Sequence, residues 1–119
     1  MCIRDSLTTT TANATPVEFT LIDVAFLTDN RVYGFECWAL AYHASNIAAY
    51  KVHACFSKIS GTLALVGSPS VTAFEATGSM DLTVAAGTGG NVGDIVAVLT
   101  GVAATVRWEF YPRTLLGMA

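Results

Sequence analysis

Arg31-Val32-Tyr33-Gly34-Phe35-Glu36-Cys37-Trp38-Ala39-Leu40-Ala41-Tyr42-His43, then Ala44-Ser45-Asn46, then Ile47-Ala48-Ala49-Tyr50-Lys51-Val52-His53-Ala54-Cys55-Phe56-Ser57-Lys58, is the stretch that decides the fold. In its second half Tyr50, Val52, Ala54 and Phe56 alternate with Lys51, His53, Cys55 and Ser57. That is the period-two pattern of a half-buried strand. The short polar connection Ala44-Ser45-Asn46 suits a hairpin. In the first half Trp38 shares a face with Glu36, Leu40 and Tyr42, and is expected in the core rather than on a sugar-stacking platform. The Ala-rich run Ala39–Ala49 also scores as helix, but its β-rich flanks and Ser45-Asn46 argue against that.

Strand signals continue on both sides. Val17–Phe26 is apolar with β-branched residues, and Asp29-Asn30 marks a turn. Gly61 opens Thr62–Val66, which Gly67-Ser68-Pro69 ends, and Val71–Glu75 follows. Gly78 precedes Ser79–Ala85, where Met80, Leu82 and Val84 alternate with Ser79, Asp81 and Thr83. Gly87-Thr88-Gly89-Gly90-Asn91 reads as a mobile loop before Val92–Thr100. Gly101 then turns into Ala104–Tyr111, with Ala104, Val106, Trp108 and Phe110 inward and Thr105, Arg107, Glu109 and Tyr111 outward. About eight strands with turn signals every 8–12 residues or so predict an all-β fold, an antiparallel β-sandwich of jelly-roll-like form. Trp108, Val106, Phe110, Leu82, Met80 and Leu65 are its expected structural core, and no helix longer than two turns is expected.

At 119 residues the chain fits one domain. Charged residues are 13% against 53% hydrophobic, about half the usual charged share of roughly 25%. Such a surface predicts burial against another subunit, with a homo-oligomer as the expected state. The Ile95–Val106 run is interrupted by Thr100 and Gly101 and is too short to span a bilayer. Six scattered Lys and Arg and a net charge of −3 leave no footprint for nucleic acid or anionic lipid. Met1–Ser6 reads as a translated sequencing-library adapter, which makes the rest the C-terminal piece of a longer metagenomic reading frame. Residues 7–16, with the run Thr8–Thr11, read as a Thr-rich linker, and 17–119 as the sandwich domain.

Candidate chemistry is thin. His53 and Cys55 share a strand face, with Cys37 on a neighbouring strand, but three groups without a Cys-x-x-Cys make a weak zinc set. Cys37 and Cys55 alone make no disulfide framework. There is no Gly-x-Ser-x-Gly elbow, no Lys-Ser/Thr after the Gly87–Asn91 loop, and no local pair among the acids of the kind glycosidases use. His43 is expected in solvent. Arg107 and Glu109 are expected to pair with charges on another strand or subunit. Tyr33 and Tyr111 are the surface aromatics that could stack on a glycan. No catalytic residue, metal or cofactor is assigned.

From about Thr8 to Leu116 the chain resembles a C-terminal domain of bacteriophage virion proteins, especially tail-fibre and related surface proteins. The resemblance rests on the lead Thr8–Thr11, the hairpin Arg31–Lys58, a G-T-x-x-L-V-G-S turn at Gly61–Ser68, a W-D-x-x-V strand at Met80–Val84, a Gly/Asn loop at Gly87–Asn91, and V-T-G-x-x-x-T-x-R-W at Leu99–Trp108. Met80 stands in place of the Trp and Leu99 in place of the first Val, both still apolar. The resemblance implies a virion location and a structural role in assembly and surface display, with other virion proteins as partners, a trimer as the expected homo-oligomer, as is common in fibre proteins, and no catalysis. A carbohydrate-binding host-attachment tip, touching a host-surface glycan, is the alternative. A fragment of a depolymerase-type enzyme is the second alternative, and it would need acids converging in a cleft.

Overall fold

Eight strands form among the described residues: β1 (Leu7–Thr11), β2 (Val17–Ile22), β3 (Arg31–His43), β4 (Asn46–Ile59), β5 (Thr62–Glu75), β6 (Asp81–Ala86), β7 (Ile95–Thr100) and β8 (Val106–Met118). The computed structural model describes residues 7–43, 46–75, 80–102 and 104–118. The adapter reading of Met1–Ser6, the connection Ala44-Ser45 and the strand start at Gly78-Ser79 lie outside the described residues. Among those described, helix is confined to two three-residue 3-10 turns, Val24–Phe26 and Gly89–Asn91.

The strands form two antiparallel sheets, a five-stranded one in the order β1-β8-β3-β4-β5 and a three-stranded one in the order β2-β7-β6. The fold is the expected all-β sandwich. Its outer strands nest as in a jelly roll, with β1 beside β8 and β2 beside β7. Its middle strands do not cross over: β3, β4 and β5 run as a meander within one sheet. The β4–β5 turn explains the Gly61 signal. Ser60 and Gly61 both have positive φ, 51° and 81°, as the tightest hairpin turn requires.

The register shows how the core fills. Ala39 lies opposite Phe110 on β8 and Tyr50 on β4, and Ala41 lies opposite Trp108. Small residues on the central strand thus make room for large ones on its neighbours, as a close-packed interior requires. Tyr50 and Trp108 stack at 6.1 Å, Trp108 and Phe110 at 6.4 Å, and Phe19 of the other sheet closes on Phe110 at 5.3 Å. Of the six expected core residues, Trp108, Val106, Phe110, Leu82 and Met80 are buried, and Leu65 is partly buried against the same cluster.

Several boundaries differ from the sequence reading, each for a physical reason. The Thr-rich linker is a strand over Leu7–Thr11 because β8 offers it an open edge. Thr11 is buried, and its Oγ1 accepts the indole N–H of Trp108 at 3.0 Å. A buried indole N–H needs such a partner. A Cβ on Gly101 would stand 2.3 Å from the same Oγ1, so only glycine lets β1 close here. Thr11, Gly101 and Trp108 therefore form one contact. Gly67-Ser68-Pro69 bulges out of β5 without ending it: His53 faces Ser70 while Cys55 faces Val66. Val24–Phe26 leaves β2 because Asp23 caps a 3-10 turn through Ala25 N. The C-terminal strand runs to Met118, well past Tyr111.

Candidate functional site

The three-stranded sheet covers one face of the five-stranded sheet. On the other face the side chains stand in cross-strand rows set by register. Arg107, Tyr42 and Ile47 form one row, Glu109, Leu40, Ala49 and Phe74 the next, and Tyr111, Trp38, Lys51 and Thr72 a third. Leu40, Tyr42, Ile47 and Phe74 are each between 44% and 57% exposed. Together with Arg107 and Glu109 they line a shallow groove of about 360 Å³. Scattered surface apolar residues need no explanation, but a contiguous patch does.

Trp38 belongs to this face, which corrects the expectation of a core tryptophan. The inner side of β3 is occupied by Cys37, Ala39 and Ala41, and the rings of Trp108, Phe110 and Tyr50 already fill the space above them. Trp38 is half-buried among its outer neighbours, with the Lys51 ammonium 5.9 Å from its ring centroid. A cation at that distance is attracted to the ring face.

Tyr33 is also corrected. It is buried, with its ring against Gly117, and its hydroxyl donates to Thr28 O at 3.2 Å and accepts from Thr28 N at 2.5 Å. It staples the β2–β3 turn and is not a glycan contact. Tyr111 does reach the outer face. Its hydroxyl donates to Glu109 Oε2 at 2.5 Å, and that bond, before any other cause, raises the phenol above its ordinary value.

The three-group zinc set does not assemble. His53 and Glu36 pair on the outer face at 2.6 Å. Cys37 points into the core, where burial pushes its thiol up to about 12, and a protonated thiol is a poor ligand. Among the described residues no group of three or more His, Cys, Asp and Glu could hold a metal ion. No helix of the described residues is long and apolar enough to cross a membrane.

No protein-family model matches the chain, and no curated protein does.

Most remaining polar groups hold the fold. The Gly87–Asn91 loop, expected to be mobile, is tied to β2. Glu18 accepts from Thr88 N at 3.0 Å, Thr88 Oγ1 at 2.7 Å and Asn91 Nδ2 at 3.2 Å. The Thr88 backbone and hydroxyl bonds hold the Glu18 carboxyl below its ordinary value, because they favour the charged form. Buried Asp94 accepts from Val24 N at 2.7 Å and Thr20 Oγ1 at 3.0 Å. At the far end of the sheet Lys58 donates to Leu27 O at 2.9 Å, and Asp29 accepts from Gly61 N at 2.8 Å. Tyr50 donates to Glu75 at 2.6 Å, and burial first, then that bond, drives its phenol far above the ordinary range. The groove is different: Arg107 makes no ion pair among the described residues.

The sequence reading missed the groove because Leu40, Tyr42, Ile47 and Phe74 look like core residues in isolation. The usable signal was the second half of β3, Cys37–Tyr42, where both alternating sets are apolar and the smaller set, Cys37, Ala39 and Ala41, lies inside.

Proposed function

We propose that the chain is a non-catalytic structural module of a bacteriophage virion, carried on a tail fibre or another capsid appendage, where it serves assembly and surface display. It works by contact, with further copies of itself and with other virion proteins, and uses no cofactor. The observation that carries this reading is the ordered run of motifs that resembles the virion domain. Thr11, Gly101 and Trp108, from separate parts of that run, meet at one buried contact, as motifs that specify a fold rather than a reaction should. The outer groove supports contact over catalysis, since among the described residues Glu109 is the one acid that lines it. The test is the set of genes flanking the source reading frame. Portal, tail or capsid genes are expected there, and a neighbourhood of metabolic genes with no virion components would overturn the reading.

A second reading, a carbohydrate contact at a host-attachment tip, is favoured by one observation. Tyr42 and Phe74 are exposed aromatics in a groove that also holds Arg107 and Glu109, a combination of stacking surface and hydrogen-bonding groups that suits a sugar ring. Calorimetric titration with host-surface polysaccharide distinguishes it. Heat of binding that Tyr42→Ala abolishes would favour this reading, and its absence would leave the assembly role alone.

A further inference from the structure

We propose that the groove end of the outer face is the contact between two copies of this chain, related by a two-fold axis. The inference rests on the assembly reading above and adds to it the face, the symmetry and the residues. Four observations point the same way.

Leu40, Tyr42, Ile47 and Phe74 form a continuous apolar surface across three strands. Such a surface is stabilised by a covering layer. Among the described residues the charges in the groove are one of each sign. Arg107 and Glu109 sit on the same face of β8, two residues apart, about 6.8 Å along the strand. A partner of uniform charge would satisfy one and repel the other. A second copy turned by a two-fold axis sets Arg107 against the partner's Glu109 and Glu109 against the partner's Arg107, because an isologous contact pairs each patch with itself. A three-fold arrangement would place a different surface here and lose that reciprocity, so the two-fold replaces the trimer expected from the resemblance to fibre proteins.

The edge of the sheet allows the approach. On the groove side of the Gly67-Ser68-Pro69 bulge, β5 from Ser70 to Phe74 contains no charged residue, whereas edge strands that must stay apart carry charges that repel a neighbour. Scale fits as well. A standard interface takes about 800 Å² from each partner, about an eighth of the 6146 Å² accessible on this chain. Three rows on four strands give a plan area of about 400 Å² before side-chain relief is counted. That is about half the standard share, the low end for a specific contact.

The experiment is sedimentation velocity of the full chain at tens of micromolar, with circular dichroism to confirm that each variant is folded. A dimer, twice the 12.5 kDa of the chain, is expected for the wild type. Leu40→Lys should give a monomer, and so should Phe74→Ser, which serves if the first variant fails to fold. Arg107→Glu and Glu109→Arg should each weaken association at least tenfold, and the double exchange should restore it. A wild-type monomer would overturn the proposal and the self-assembly part of the reading with it. A stable oligomer that ignores Leu40→Lys, Phe74→Ser and the charge exchanges would overturn this interface while leaving self-assembly intact. A trimer would overturn the two-fold.

Discussion

The two faces of the five-stranded sheet are built from the same strands by alternate residues, yet they obey different rules. On the inner face Trp108, Phe110 and Tyr50 stack over Ala39 and Ala41, and the indole N–H ends on Thr11. On the outer face Trp38, Leu40 and Tyr42 stand beside Arg107, Glu109 and Lys51. Hydrophobicity does not separate the faces, since β3 is apolar on both. From Cys37 to Tyr42 volume separates them: the large residues of this half of β3 are excluded from an interior already filled from β4 and β8. A strand with two apolar faces is one that is covered on both, or that has a contact to make.

The comparison breaks most visibly at Trp108. Trp108→Ala should cost about 3–5 kcal/mol, the usual loss for a core tryptophan, measured by urea unfolding. An effect below about 1 kcal/mol would mean the site tolerates truncation as a surface site does. Next come its polar partners. Thr11→Val leaves the buried indole N–H unpaired and should cost about 1–3 kcal/mol. Gly101→Ala should cost about as much through overpacking against Thr11. That loss should shrink in a Thr11→Ala background, since the clash is with the Thr11 hydroxyl.

Acid sharpens a third point, the loop tied to β2. The Glu18 carboxyl is held below its ordinary value of 4.5 in the folded protein. Its contribution is therefore fully present above that ordinary value and fades as pH falls through the lower folded one. Glu18→Gln should lower stability at neutral pH and flatten the acid limb of the stability curve. An unchanged acid limb would show that the loop is not held by this carboxylate. The smallest effect belongs to the outer face: Tyr42→Ser should change unfolding free energy in dilute protein by no more than about 0.5 kcal/mol. A core-sized loss would mean that Tyr42 packs inward.

Much of the fold was legible. The alternation in Tyr50–Ser57 and Val106–Tyr111, and the glycine at the Ser60-Gly61 turn, are local signals, and local signals survive in sequence. What was not legible depends on partners distant in the chain. Thr8–Thr11 is polar enough to pass for linker until β8 is known to lie beside it. Gly67-Ser68-Pro69 looks like an end because a bulge and a turn use the same residues. Trp38 and Tyr33 exchanged places for the same reason: which face of a strand is inside is a property of register, and hydrophobicity alone assigned both wrongly. The groove was hidden by this ambiguity, while Arg107 and Glu109, read as an ion pair with another strand or subunit, were visible from the start.

The most direct measurement compares two neighbouring residues of β3 by urea unfolding of dilute protein. Ala39 is fully buried opposite Phe110 and Tyr50, and Leu40 is 44% exposed on the other face. Ala39→Leu should destabilise by about 1–3 kcal/mol through overpacking, and Leu40→Ala should stay within about 0.5 kcal/mol. A tolerated Ala39→Leu together with a costly Leu40→Ala would reverse the faces of the sheet and contradict the account.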